Sequence, residues 1–144
     1  MMMNKENINN IERFSGFADL YDANRPQPPI TVIDILINYL RREPNLVVDL
    51  GCGTGLSTCI WKDNAKKVIG IEPNGDMLAK ARLKLKIRTD VNNLLFEQGV
   101  SHQLKLESNS VDIVTCSQSF HWMEPKSTVE EVSRVLVNGG VFAA

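Results

Sequence analysis

The feature that most constrains this chain is a short apolar run followed at once by three glycines, in the stretch VVDLGCGTG at residues 47–55. The run lacks the strict alternation of a half-exposed strand, which is typical of a parallel strand buried on both faces. Gly51, Gly53 and Gly55 allow a sharp turn and a close approach of a ligand to the backbone, and the N-terminus of a following helix attracts anionic groups. The pattern predicts a strand, a turn and a helix around a ligand site. The alternative is a tight turn that binds nothing.

The rest of the chain alternates between helix-like and strand-like segments. Apolar residues at helical spacing from Ile30 to Leu40 predict a first helix, which Pro44 ends. After the first strand, NLVVDL, further strands are predicted at KVIGIE, LLFEQG, VDIVTCS and VFAA. Helices are predicted between them over 56–62, 77–86 and 128–136. This alternation predicts an α/β fold with a doubly wound, mostly parallel sheet and flanking helices.

Capping residues and composition set the boundaries. Asn74 is a suitable N-cap for the helix over 77–86, and Asn138-Gly139-Gly140 is expected to stop the helix over 128–136. Residues 1–13 are polar and asparagine-rich, so we expect a flexible N-terminus. Residues 14–144 are enough for one compact domain.

Two carboxylates narrow the ligand class. Glu72 ends the strand that follows the glycine turn, where a carboxylate commonly accepts the hydroxyls of a ribose. Asp49 would repel the pyrophosphate of a dinucleotide but attract an ammonium or sulfonium centre. Leu56 also stands where a dinucleotide fingerprint needs a small residue. A cationic nucleoside is favoured; the alternatives are a strand-end or helix-cap role for Glu72 and a capping role for Asp49 toward loop amides.

The composition argues against several other classes. A net charge of −1 gives no basic field for nucleic acid, and the five basic residues between 80 and 88 would spread around a helix. No apolar run approaches the ~20 residues of a bilayer span, and the N-terminus lacks the apolar core of a signal peptide. The three cysteines have no CxxC spacing, which suits a reducing compartment. We expect a cytoplasmic protein with no nucleic-acid, membrane or metal partner.

With these motifs in place, the chain from Phe14 onward resembles the class I S-adenosylmethionine-dependent methyltransferases. VVDLGCGTG resembles their first motif, GIEPN their second, SVDIVTCSQSFHW the strand-four motif, and EEVSRVLVNGG the helix and turn before strand five. The resemblance implies a Rossmann-like fold, S-adenosyl-L-methionine as methyl donor and S-adenosyl-L-homocysteine as product. A smaller set of residues is most similar to the methyltransferase type 11 branch with the trans-aconitate methyltransferase-like proteins, which implies a small-molecule acceptor: Tyr21, Arg25, Pro26, Gln118, His121 and Trp122.

The resemblance also implies roles at the donor site. The methionine part of the donor would be held by Asp49, Gly51, Gly53 and Gly55, and the ribose by Glu72. Met77 would lie against the adenine, and the equally strong alternative is that it fills the core face of its own helix. In this family an acidic residue after strand three often accepts the adenine amine. Here Val100 has no side-chain acceptor, and Ser101 is left to contribute backbone or hydroxyl contacts.

For the chemistry, methyl transfer depends chiefly on alignment of donor and acceptor. His121 follows strand four and is the candidate catalytic residue, able to remove a proton from an acceptor hydroxyl or to orient an acceptor carboxylate. The alternative is a histidine that shapes the loop beside Trp122. His102 lies in a polar loop and is predicted to be a surface group. Tyr21 and Arg25 belong to an arm that in this family can fold over the donor; Tyr21 is a candidate donor contact, and the alternative for Arg25 is a surface charge.

Three functional hypotheses remain open at this point. They are a methyltransferase or its donor-binding part, a noncatalytic S-adenosylmethionine-binding module, and an NAD(P)-dependent oxidoreductase, which Asp49 and Leu56 disfavour. The chain ends at Ala144, just inside strand five, whereas the family it resembles continues through two more strands. We therefore expect an incomplete sheet whose strand-five edge is open to self-association.

Overall fold

The computed structural model describes residues 29–117 and 119–144, which form an alternating series of helices and strands. The helices are α1 (Thr31–Leu40), α2 (Leu56–Cys59), α3 (Gly75–Lys86) and α4 (Pro125–Val135), with a 3₁₀ turn at Phe120–Trp122. The strands are β1 (Leu46–Leu50), β2 (Lys67–Glu72), β3 (Leu94–Gln98), β4 (Val111–Thr115) and β5 (Leu136–Ala143). They form one sheet in the order β3-β2-β1-β4-β5, and every neighbouring pair is parallel. The predicted α/β fold with a parallel sheet is confirmed.

Each face of the sheet is covered by its own apolar cluster. Val47 contributes to a cluster with residues of α1 and α3, whereas Val48, the next residue of β1, contributes to a cluster with residues of α4. Both valines are completely buried, because successive side chains of a strand point to opposite faces and both faces are covered. This is why β1 shows no alternation in the sequence. The sheet is doubly wound, as predicted.

The helix boundaries depend on capping and on core packing. Asn74 caps α3 as predicted, since its side chain accepts hydrogen bonds from the backbone amides of Asp76 and Met77. The last predicted helix begins at Pro125 and not at Thr128, because the Glu124 carboxylate caps it. In the same way α2 stops at Cys59 and not at residue 62, because the following residues form tighter turns that bury Trp61 in the core.

The prediction that residues 138–140 stop the preceding helix is wrong. The helix ends at Val135. There the backbone amides of Asn109 and Ser110 donate hydrogen bonds to the carbonyls of Arg134 and Val135. Strand β5 begins at the next residue and includes residues 138–140, which lie in a register shift between the pairs Leu136–Val111 and Val141–Ile113. The glycines therefore form an irregularity within the strand that VFAA was predicted to open.

The sheet order places a candidate site at one edge. From β1 the chain moves outward to β2 and β3, then returns to add β4 and β5 on the other side of β1. The carboxyl ends of β1 and β4 therefore lie at the point where the strand order reverses, which is where ligands bind in open α/β sheets. Among the described residues, no helix is long and apolar enough to cross a bilayer.

Candidate functional site

The glycine-rich turn after β1 has a backbone that only glycine adopts easily. Gly51, Gly53 and Gly55 have φ angles of 63°, 57° and 90°. A Cβ atom on Gly51 would lie 2.8 Å from the Cβ of Ser119, and one on Gly55 would lie 2.7 Å from the Cζ of Phe96. Packing and backbone conformation therefore both require glycine at positions 51 and 55. This requirement holds whether or not a ligand binds the turn.

Asp49 lies beneath this turn, and its side chain is completely buried. One oxygen, Oδ2, accepts hydrogen bonds from the hydroxyls of Ser57 at 2.7 Å and Thr58 at 2.8 Å, and the other, Oδ1, accepts from Thr115 at 2.9 Å. The carboxylate thus ties α2 to the ends of β1 and β4. Its hydroxyl partners were missed in the sequence. Ser57 and Thr58 could have been found, because they follow the turn directly, but Thr115 stands 66 residues away.

The charge of Asp49 extends to two neighbouring thiols. Burial, reinforced by the charges of Asp49 and Glu72, raises the pKa of Cys52 well above its ordinary value. Burial and Asp49 raise the pKa of Cys116 to about 12. Both thiols stay protonated at neutral pH, so neither is a nucleophile. All three cysteines are free, and these two are buried, so they act as packing residues.

The side chain of Glu72 connects the glycine turn to the start of α3. Its Oε1 accepts a hydrogen bond from the backbone amide of Gly53 at 3.0 Å, and its Oε2 accepts one from the amide of Asn74 at 2.7 Å. The carboxylate therefore faces the two connections that follow β1 and β2. Glu72 is 8% exposed, whereas Asp49 is completely buried.

The two residues predicted to contact the adenine, Met77 and Ser101, are both buried and pack against the protein interior. Met77 is 2% exposed and packs into the interior, which agrees with its alternative role as a core residue of α3. The hydroxyl of Ser101 shares a hydrogen bond of 2.7 Å with that of Thr128 on α4, and both side chains are buried. Val100 is half-buried on the turn that follows β3. The site thus brings Glu72 and the glycines together, with the side chains of Met77 and Ser101 turned toward the core.

His121 lies on the 3₁₀ turn after β4, and its side chain is exposed. Two contacts anchor the start of this turn, one to β1 and one to β5. The hydroxyl of Ser119 donates to the carbonyl of Leu50 at 3.0 Å, and Phe120 packs edge-on against Phe142 of β5 with ring centroids 6.0 Å apart. The rings of His121 and Trp122 lie with their centroids 4.5 Å apart. The anchored turn therefore presents this pair beside the carboxyl end of β1.

His102 is buried, with 8% exposure, so its prediction as a surface group is wrong. The turn that carries it folds onto α4, because the amide of Leu104 donates to Glu131 at 2.7 Å. The hydrogen bonds from the Arg134 guanidinium and from the Leu104 amide hold the pKa of Glu131 below its ordinary value, although burial raises it. His102 therefore belongs to the packing between the β3–β4 connection and α4.

Several predicted residues fall outside the described part of the chain. They are Tyr21, Arg25, Pro26 and Gln118. Within residues 29–117 and 119–144, no group of three or more histidine, cysteine or acidic side chains is arranged to hold a metal ion.

Comparisons with known proteins relate the chain to methyltransferases. A family described as "Methyltransferase domain" matches residues 48–144. The chain is 29% identical over 124 residues to a Saccharomyces cerevisiae protein named "Probable S-adenosylmethionine-dependent methyltransferase". The matched region covers 85% of this chain and 43% of the relative. It is 32% identical over 127 residues to an uncharacterized methyltransferase of Mycobacterium tuberculosis, with 88% and 49% covered.

A solved structure shares the fold. The YcgJ protein from Bacillus subtilis superimposes with a TM-score of 0.68 at 27% identity, over 78% of this chain and 48% of that one. The chain spans about half the length of these relatives.

Proposed function

Because this chain belongs to the methyltransferase domain family, we propose that it is the donor-binding region of an S-adenosylmethionine-dependent methyltransferase that acts on a small-molecule acceptor. The observation that carries the proposal is the pair of carboxylates beside the glycine turn: Glu72 at the end of β2, which accepts from the Gly53 amide, and Asp49, which is buried beneath the turn. Such a pair suits a nucleoside that has hydroxyls to donate and a positive charge.

The parts of the donor follow the order of the strands. Gly51, Gly53 and Gly55 after β1 would hold the methionine part of the donor, and Glu72 at the end of β2 would accept hydrogen bonds from its ribose hydroxyls. Asp49 acts through its charge, because its oxygens already accept three hydroxyl hydrogen bonds and the side chain has no exposed surface. In this arrangement S-adenosylmethionine supplies an activated methyl group, and S-adenosylhomocysteine is the product.

The acceptor lies on the His121 side of the site. An acceptor carboxylate or hydroxyl next to the exposed imidazole would be oriented by it, and a hydroxyl would pass its proton to the imidazole as the new carbon–oxygen bond forms. The carbon–sulfur bond breaks in the same step. Alignment of the two reactants is the largest contribution that the protein makes, which requires a rigid turn at His121. The anchoring of this turn through Ser119 and Phe120 supports that role.

Calorimetry with S-adenosylhomocysteine and, separately, with NAD tests the donor assignment. We expect binding of the first and none of the second. NAD binding without S-adenosylhomocysteine binding would favour the NAD(P)-dependent oxidoreductase hypothesis and overturn the proposal. Release of labelled methyl from the donor, across a panel of small acids, phenols and amines, then separates an active enzyme from a noncatalytic binding module.

Other expectations stay predictions. They include contacts of Tyr21, Met77 and Ser101 with the donor, a cytoplasmic location, an acceptor that is not nucleic acid, and the absence of a metal. The acceptor class implied by the resemblance to trans-aconitate methyltransferase-like proteins also stays a prediction.

A further inference from the structure

The position of the purine base follows from the sheet order and rests on the proposed function. The glycine turn follows β1, Glu72 ends β2, and β3 is the next strand outward. A nucleoside whose ribose donates to Glu72, and whose amino-acid part lies over the glycines, extends its base away from β1. The base therefore lies beside the turn that follows β3, over residues 99–103.

This turn has a defined backbone. The amide of Gly99 donates to the carbonyl of Glu72 at 3.3 Å, and the amide of Gln103 donates to the carbonyl of Val100 at 3.4 Å. Val100 and Gln103 also form an isolated antiparallel bridge. The turn is thus attached directly to the ribose-binding carboxylate residue, which keeps its side chains in a constant position relative to the nucleoside.

The side chains of this turn offer little to the exocyclic amine of an adenine. Val100 has no hydrogen-bonding group, and the buried hydroxyl of Ser101 is engaged with Thr128 at 2.7 Å. Gln98, which ends β3, donates its side-chain amide to the carbonyl of Pro73 at 3.2 Å. These groups are directed toward α4 and toward the β2–α3 turn.

From this arrangement we infer that the donor site does not select for the 6-amino group of the purine, and that it accepts donors whose purine is unsubstituted or modified at that position. A site discriminates strongly against a missing amine only when it contains a buried acceptor that would be left unpaired. Val100 has no side-chain acceptor, Gln103 is exposed, and the buried hydroxyl of Ser101 stays hydrogen-bonded to Thr128 whether or not the amine is present. The specificity of the site resides in the ribose and the amino-acid part.

Calorimetry on the 144-residue chain tests the inference with two ligands. They are S-adenosylhomocysteine and its 6-deamino analogue, in which hydrogen replaces the amine and the ring nitrogens are unchanged. We expect dissociation constants within about threefold of each other, because no charged hydrogen bond is lost. In Val100→Asp, a carboxylate at the turn should restore a preference for the amine of about tenfold or more. Val100→Ala, which adds no acceptor, is the matched control and should keep the parental ratio.

Each result has a distinct meaning. A preference for the amine clearly above threefold in the parental chain would overturn the inference and leave the proposed function intact. An unchanged ratio in a folded Val100→Asp variant would show that the base does not lie at this turn, which also overturns it. Failure of both ligands to bind the parental chain would instead remove the proposed donor site, and the inference with it.

Discussion

The two carboxylates of the proposed donor site differ at the scale of single residues. Asp49 is completely buried and satisfied by three hydroxyls, whereas Glu72 retains a small exposed surface beside the glycine turn. A buried charge influences a ligand through its field, and a partly exposed carboxylate can accept hydrogen bonds from it. The two residues should therefore give different results on substitution.

Glu72→Ala should weaken binding of S-adenosylhomocysteine by about 1.5 to 3 kcal/mol, the cost of losing hydrogen bonds to a charged acceptor. Calorimetry measures the change, and circular dichroism checks that the variant is folded, since Glu72 also accepts from the amides of Gly53 and Asn74. Glu107→Ala is a matched control, because Glu107 is an exposed glutamate on the β3–β4 connection. Unchanged affinity in a folded Glu72→Ala variant would remove this residue from the site.

Asp49→Asn tests whether the buried charge recognises the sulfonium. Asparagine keeps a similar shape and can still hydrogen-bond the hydroxyls of Ser57, Thr58 and Thr115. S-adenosylmethionine carries a positive sulfur that S-adenosylhomocysteine lacks, so the variant should lose more affinity for the former, by roughly 2 kcal/mol for charges about 8 Å apart at an effective dielectric of ~20. Titration of both ligands gives the ratio. An equal loss for both ligands would mean that Asp49 only supports the turn.

At the scale of elements, the packing of the β4–α4 connection over the glycine turn makes a stability prediction. Gly51→Ala places a Cβ at a positive φ and 2.8 Å from Ser119, so it should lower the free energy of unfolding by about 2 to 4 kcal/mol. Gly75→Ala is the matched control. Gly75 opens α3 with nothing within 4 Å of an added Cβ, so this change should be neutral or stabilise by up to about 1 kcal/mol. Urea denaturation of both variants compares the two glycines; equal effects would contradict the packing argument.

A second prediction at this scale concerns the tie between α1, β1 and β4. The Asp112 carboxylate accepts from Arg42 at 2.5 Å and from the amides of Asn45 at 2.6 Å and Leu46 at 3.0 Å. Burial raises the pKa of Asp112, but the hydrogen bonds from Arg42 and the two amides outweigh it, so the pKa lies below its ordinary value. This contribution to stability is therefore present above the ordinary aspartate pKa and is lost as the pH falls through the folded value.

Asp112→Asn should consequently destabilise the protein by about 1.5 to 3 kcal/mol near neutral pH, and by less as the pH falls below about 4. Urea denaturation at several pH values measures the difference between the parental chain and the variant. Asp34→Asn is a suitable control, because Asp34 is an exposed aspartate on α1. A difference that stays constant down to the lowest pH would show that the ionised carboxylate is not what stabilises this tie.

At the scale of the whole molecule, the two outer strands of the described sheet differ. On β3, the carbonyl of Phe96 accepts two hydrogen bonds from the guanidinium of Arg82, which covers part of that edge. On β5, the residues Leu136, Val137, Val141 and Phe142 are half-buried. An apolar outer strand is a template for pairing with another chain.

We therefore predict that the 144-residue chain self-associates through β5. Size-exclusion chromatography with light scattering should give a mass above that of one chain, increasing with protein concentration. The register shift at residues 138–140 limits regular pairing to the last part of the strand, so the association should be weak. A mass of one chain at every concentration would contradict this prediction.

Much of the fold was predictable because it depends on neighbours in sequence. The apolar runs, the glycine turn at 51–55 and the cap at Asn74 are local patterns, and each predicted the element that the structure contains. The start of α2 at Leu56 was predicted correctly. The start of α4 at Pro125 was predicted three residues late, because the Glu124 cap was not recognised. The family resemblance, which depends on the same motifs, is confirmed by the domain match.

What the sequence alone determined about this protein is the order of its elements, its parallel sheet and the position of its glycine turn, since these depend on periodicity and on residues close together in the chain. The tertiary structure alone decided that Thr115, 66 residues away, bonds to Asp49, that Ser101 pairs with Thr128, and that His102 is buried. Such contacts depend on which distant segments the sheet brings together. The free energy of burying a polar group depends on those partners, and no local pattern contains them.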